Sequence, residues 1–246
     1  MSPLTLTVLG CDGSHPGPGG AGSGYLVRHW DSGTALWVDA GPGTFASLQR
    51  FTDPLSLSGI VLSHQHDDHW SDLAAFLTAA RWTLGFDRDP LPVLAAPGIR
   101  SRLVEETDGL LDWREVGDGD GGRIGGLRMR FSRTDHPPVT LGMRIESDRE
   151  VLGYSADSGP GWAMSELGPD LDLALCEATY TRDHESTDAI HMSGREAGRI
   201  AREAGARRLV VTHRWAKIPA AAVLQEAADA FAGPVGQAEV GRGFSL

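Results

Sequence analysis

Gly59-Ile60-Val61-Leu62-Ser63-His64-Gln65-His66-Asp67-Asp68-His69 runs directly from a short apolar segment into a cluster of metal-ligating side chains. The apolar part is brief and rich in branched residues, the pattern of a buried strand. Beyond it, three imidazoles and a carboxylate crowd into six residues. His64 and His66 stand two positions apart, so on an extended backbone both point the same way. Asp68 and His69 can then face a second position close by. One loop can thus serve two metal ions, and a two-metal site brings a bridging hydroxide to bear on an ester. The alternative, a solvated turn ahead of a helix, gives three clustered imidazoles nothing to do.

The other candidate ligands share one placement. His136 follows the apolar run 127–133, Asp157 follows 151–155 and His213 follows 209–212. If these strands belong to one scaffold, their ends meet at one rim, where loops build sites on a rigid frame. Five of the nine histidines (His64, His66, His69, His136 and His213) fall at such strand ends. With Asp68 and Asp157 the set suits two zinc ions of about four or five ligands each, sharing a carboxylate and a hydroxide. Taken singly, His136 or His213 would read as a structural imidazole, and Asp157 as an Asx turn. The six-residue motif is what turns them into ligands.

Strand-like runs recur at 4–9, 25–27, 35–38, 60–62, 92–95, 127–131, 141–145, 151–154, 171–175 and 209–211. Helical patterns occupy 44–51, 71–84, 193–204 and 219–231, the last with Pro219 in its first turn. Strands come in runs with helices between the runs, which predicts an α+β fold: a four-layer αββα sandwich of two mixed sheets. The glycine-rich stretch 117–126 reads as a flexible turn and the only hint of a half-way boundary, not as a linker. A single hydrolase domain over 1–246 is expected.

Bulk composition narrows the class. With 41% apolar residues in 246, the chain can build a large core, yet no stretch nears the roughly 20 apolar residues of a membrane span. Met1-Ser2-Pro3-Leu4-Thr5 lacks a basic start and an apolar region, and only Cys11 and Cys176 are present, which predicts a cytoplasmic protein without disulfides. The net charge of −11 argues against a large non-specific nucleic-acid surface. It leaves room for a small anionic substrate, because bound cations dominate the local field of a metal site. The seven tryptophans read as core or pocket walls rather than base-stacking platforms.

His64-x-His66-x-Asp68-His69, followed by His136, Asp157 and His213 in that order, resembles the metallo-β-lactamase fold superfamily. The resemblance implies that one metal takes His64, His66 and His136, the other Asp68, His69 and His213, with Asp157 bridging. The turns Leu9-Gly10-Cys11-Asp12-Gly13-Ser14 and Val38-Asp39-Ala40-Gly41-Pro42-Gly43 are similar to that family's early turns. Cys176-Glu177-Ala178-Thr179-Tyr180, His191-Met192-Ser193 and Leu209-Val210-Val211-Thr212-His213 look like the branch holding ribonuclease Z and small phosphodiesterases. Over most of its length the chain resembles small actinobacterial enzymes described as atypical class II cyclic-nucleotide phosphodiesterases. In that branch a pair matching Glu177 and His191 flanks the metals. An imidazole held by a carboxylate can protonate an alkoxide leaving group near neutral pH.

One departure chooses within the branch. Ribonuclease Z carries a long tRNA-gripping arm between the third histidine and the bridging aspartate, whereas only residues 137–156 separate His136 from Asp157 here. No tRNA arm fits. The expected function is therefore a binuclear phosphodiesterase that cleaves a small phosphodiester, a cyclic nucleotide first among them, with Asp68, His191 and Glu177 catalytic. Zinc is the default ion, with manganese or iron able to take its place. A homodimer is a family-level expectation. The rivals are a ribonuclease Z-like endonuclease, a lactonase, β-lactamase or thioesterase, and a metal-held fold used for binding alone. Asp39 is expected to fix its glycine-rich turn, Asp67 to face solvent or orient an imidazole, and His15, His29 and His184 to lie at the surface.

Overall fold

The computed structural model describes residues 3–104 and 107–246. The first half contains β1 (Leu4–Gly10), β2 (Gly24–His29), β3 (Thr34–Ala40), the short helix α1 (Thr44–Leu48), β4 (Gly59–Leu62), α2 (Asp72–Trp82), β5 (Leu91–Ala95) and β6 (Leu111–Glu115). The second half runs β7 (Gly121–Ile124), β8 (Leu127–Arg133), β9 (Leu141–Glu146), β10 (Val151–Tyr154), β11 (Leu173–Glu177), α3 (Gly194–Glu203), β12 (Leu209–Thr212), α4 (Ala220–Phe231), β13 (Val235–Gln237) and β14 (Gly243–Ser245). They form two seven-stranded sheets, ordered β14-β1-β2-β3-β4-β5-β6 and β13-β12-β11-β10-β9-β8-β7.

The period-two alternation of a strand explains the layering. In β3, Leu36 and Val38 join the core between the sheets, while Ala35 and Trp37 join a second core with Leu73, Phe76 and Leu77 of α2. A strand covered on both faces reads as a continuous apolar run, which is why β3 and β4 lack polar alternation. The second sheet repeats the arrangement. Leu173 and Leu175 face the other sheet, whereas Ala174 and Cys176 pack with Ile200 and Ala201 of α3 and with Val223 and Ala227 of α4. The αββα sandwich expected from the sequence is the observed architecture. No helix among the described residues is long and apolar enough to cross a membrane.

Topology gathers the strand ends. β3, β4 and β5 run parallel in the first sheet, and β10, β11 and β12 in the second. β8 and β10 are both antiparallel to β9, so β8 points the same way as β10. The carboxyl ends of β8, β10, β11 and β12 therefore share one rim. At that rim the Leu141 amide donates to the Ser63 carbonyl (3.1 Å), joining the start of β9 to the end of β4.

Several sequence-level expectations need correction. The stretch 117–126 is not simply a flexible turn: Gly121–Ile124 is the edge strand β7, paired antiparallel with β8, and the turn proper is the crossing from the first sheet to the second. β6, β13 and β14 are strands that carry no strand signal in the sequence. β6 has only one fully buried position, and β13 and β14 are three residues each with none, so they lack the apolar run that marks a strand. The run 171–175 shifts to Leu173–Glu177. Not every tryptophan is a core or pocket wall, since Trp30 and Trp82 are exposed.

Candidate metal centre

The first loop leaves β4 at Ser63 and places His64, His66, Asp68 and His69 at the rim; His136 arrives after β8, Asp157 after β10 and His213 after β12. His64 Nε2 lies 3.1 Å from His66 Nδ1, and His136 Nε2 lies 3.2 Å from the same atom. Asp157 Oδ2 faces this group, 3.5 Å from His64 Nε2 and 3.8 Å from His136 Nε2. Asp157 Oδ1 faces a second group, 3.2 Å from His69 Nε2 and 3.4 Å from His213 Nε2. Asp68 Oδ2 completes that group, 3.2 Å from His213 Nε2 and 3.7 Å from His69 Nε2. Ligand atoms about 2.0–2.1 Å from a tetrahedral cation stand about 3.3–3.4 Å apart, so both groups have the spacing of a first coordination shell. One carboxylate turns an oxygen towards each.

The outward nitrogens support the same reading. His64 Nδ1 lies 3.0 Å from Ser63 Oγ, His69 Nδ1 2.8 Å from Asp39 Oδ2, and His213 Nδ1 2.9 Å from Thr179 Oγ1. His136 Nδ1 donates to the Ile190 carbonyl at 2.8 Å. Such outer partners fix the ring and aim Nε2 inward, as metal-ligating histidines require. His69 Nε2 and Asp157 Oδ1 are buried and form no hydrogen bond despite their proximity. Orphaned polar atoms in a dry interior are costly, and a cation between these groups would satisfy both. The donor set thus fits two divalent ions.

Electrostatics divides the two groups. Burial holds His64 well below the ordinary imidazole range and lowers His66 and His136, leaving their lone pairs free for a cation. Burial also works against a charge on His69, but Asp157, Asp68 and Asp39 outweigh it and raise its proton affinity well above the usual value. Asp157 responds in kind: burial would raise it, yet His213, His69 and His64 hold it well below the carboxylate range.

Glu177 ends β11 fully buried. Its Oε1 accepts from the Ser158 amide and from His191 Nδ1, both at 2.8 Å. Its Oε2 accepts from Thr179 Oγ1 (2.7 Å) and from the Thr179 and Met192 amides (3.3 and 3.2 Å). Glu177, His191, Asp157 and His213 also lie close enough to make a third candidate metal group. Five donors, however, already occupy the two Glu177 oxygens. His191 packs beside His136 and His213, with ring centroids 4.9 and 5.2 Å away. Burial pulls its proton affinity down, but the Glu177 charge and hydrogen bond push its pKa up to about 9.

Asp39 plays a larger part than fixing a turn. Its carboxylate accepts from Ser63 N and Oγ, from His69 Nδ1 and from the Tyr154 hydroxyl, each at 2.8 Å. Asp39 sits at a strand end like the other site residues, and that placement was the available signal. Its partner Tyr154 comes from the opposite sheet, which no local pattern could reveal. Asp67 is exposed and pairs with Arg102 rather than with an imidazole. Burial pushes the Cys11 thiol up to about 12, and Cys11 belongs to none of the ligand groups found among the described residues.

A family model described as the β-lactamase superfamily domain matches residues 34–214. The chain belongs to the metallo-β-lactamase fold superfamily, and within it to the ribonuclease Z-like branch of metallo-hydrolases. Among its relatives, the protein ML1173 of Mycobacterium leprae is 33% identical over 99% of this chain and 89% of its own length. The probable metallo-hydrolase YhfI of Bacillus subtilis is 32% identical over 85% of this chain and 86% of its own, and its crystal structure superposes with a TM-score of 0.90, covering 98% and 99% of the two chains at 30% identity. Ribonuclease Z of Mycobacterium bovis is 31% identical over 85% of each chain. A diphosphatase of the PhnP family, 17% identical with a TM-score of 0.78 and covering 99% and 98% of the two chains, shares the fold.

Proposed function

We propose that this metallo-hydrolase is a two-metal phosphodiesterase acting on a small phosphodiester, with cyclic nucleotides the leading substrates. The observation that carries the reading is the Glu177–His191 pair, buried beside two ligand groups that share Asp157. His64, His66 and His136 would hold one ion and Asp68, His69 and His213 the other, with Asp157 between them. When bound, such ions activate water and neutralise charge on a phosphoryl group, zinc being the default for this donor set. His191 carries the proton for the departing alkoxide, with Nε2 the free ring nitrogen because Nδ1 is tied to Glu177. Glu177 also holds Thr179 Oγ1, the partner of His213 Nδ1, so one carboxylate orients the acid and a ligand together. Asp68 is held by the Ser14 amide (2.8 Å) as the catalytic carboxylate of the second group.

Two named relatives support phosphorus chemistry: ribonuclease Z and the PhnP-family diphosphatase. A small substrate is favoured over tRNA because β9 and β10 fill the interval between His136 and Asp157. A single domain, working in the cytoplasm as a homodimer, completes the proposal. The test is a hydrolysis screen of 2′,3′- and 3′,5′-cyclic nucleotides, linear oligonucleotides, a tRNA precursor, a lactone, nitrocefin and a glutathione thioester, with and without EDTA. Turnover of a cyclic nucleotide that EDTA abolishes is the expected result. Efficient 3′ maturation of the tRNA precursor, or turnover confined to the acyl substrates, would overturn it.

A further inference from the structure

Beside the second ligand group lies a recess of about 310 Å³ lined by Ser14, His15, Trp215, Ala216 and Lys217. That is the lower end of the size range of small-molecule pockets. Two short hydrogen-bonded links tie its lining to the metal centre. The Ser14 amide donates to Asp68 Oδ2, and the Trp215 indole N–H donates to Ser14 Oγ at 2.8 Å. Tyr180 bridges the other side, its ring 5.0 Å from Trp215 and 5.8 Å from His191, edge-on to each.

Trp215 is held in place rather than loosely displayed. Arg214 Nη1 donates to the carbonyls of Trp215 (2.7 Å), Ala216 (3.3 Å) and Ile218, pinning the loop that carries the indole. Lys217 Nζ sits 4.5 Å from the indole centroid, a cation over an aromatic face. That contact is exposed and exchangeable, so an incoming ring can replace the ammonium over the indole while the ammonium turns to an anion.

We infer that Trp215 is a specificity-determining residue, and that this recess receives the planar aromatic group, a nucleobase, of the phosphodiester held at the metals. The inference rests on the phosphodiesterase reading and narrows it to esters bearing a base. Stacking of a base on an aromatic side chain is worth about 5- to 150-fold in affinity. The metal-loaded protein should therefore bind adenosine 5′-monophosphate more tightly than ribose 5-phosphate by a factor in that range. Calorimetry with both ligands on wild type, Trp215→Ala and Trp215→Phe reads the difference. Wild type and Trp215→Phe should show it, and Trp215→Ala should bind both ligands alike. A second readout is indole fluorescence, which the monophosphate but not ribose 5-phosphate should quench in wild type and quench less in Trp215→Phe.

Equal affinities in wild type, or a difference that survives Trp215→Ala, would overturn the assignment. So would fluorescence quenching unchanged by Trp215→Phe. The two readings fail separately. A protein that hydrolyses bis-p-nitrophenyl phosphate yet shows no base-dependent difference remains a phosphodiesterase and loses the recess. One with the difference but no phosphodiester turnover keeps the recess and loses the reaction.

Discussion

His191 and Asp157 occupy neighbouring positions in the site and should respond in opposite ways to truncation. His191 is oriented by Glu177 and stands beside the ligand groups, so His191→Ala should keep both metals and lose about 10²–10⁴-fold in turnover, the worth of a positioned general acid. The loss should shrink for a p-nitrophenyl phosphodiester, whose leaving group departs without a proton. Asp157→Ala should instead change metal content, because its two oxygens face separate groups. Elemental analysis alongside kinetics separates the two, and a metal lost from His191→Ala would sink its role as acid. The Glu177–His191 pair predicts a pH dependence in the metal-stripped protein. His191 is raised from 6.5 to about 9 on folding, so the stability it contributes is complete below pH 6.5 and disappears as pH rises through 9. Urea unfolding of stripped wild type should weaken across that window, and Glu177→Gln should flatten the slope.

At the level of elements, the helices over the second sheet meet at glycine. Gly198 of α3 faces α4 so closely that a Cβ there would lie 2.5 Å from the Ala227 carbonyl oxygen and 2.9 Å from the Ala230 Cβ. Gly198→Ala should thus push the helices apart and cost about 1–3 kcal/mol, although alanine is the better helix former. Denaturant unfolding measures it, and a stabilised variant would show that the two helices yield easily. The elements also mark what could be read from sequence. β3, β4 and β8 to β12 announce themselves by buried branched residues, and α3 by its Ser193–Glu196 capping box. β7, β13 and β14 could not be read, because three or four residues with glycine and little burial carry no period. Residues that meet at the rim were legible where each ended a strand. The role of Asp39 was not, since the Tyr154 hydroxyl that completes it comes from a strand on the opposite sheet.

The whole molecule is divided so that neither sheet owns the site. His64, His66, Asp68 and His69 follow a strand of the first sheet, while His136, Asp157 and His213 follow strands of the second. Ions held there would tie the sheets together, and ligands that bind only the folded state stabilise it by mass action, about 2.7 kcal/mol at a hundredfold excess over Kd. For a chain of this size that amounts to about 5–10 °C in Tm. Calorimetric scans before and after chelation should show a drop of this order, restored by zinc; an unchanged Tm would mean that the sheets do not depend on the ions.

The pairing of β14 with β1 has a temporal consequence. Thr5 lies opposite Ser245, so the first sheet stays one strand short until β14 has been made and has cleared the ribosome. Until then the outer edge of β1 offers its unpaired amides and carbonyls to any passing extended segment, including that of a neighbouring nascent chain. Synthesis of this protein therefore has a vulnerable interval that lasts until β14 pairs, and a ribosome stalled before residue 243 would hold a sheet lacking one strand, with an adhesive border.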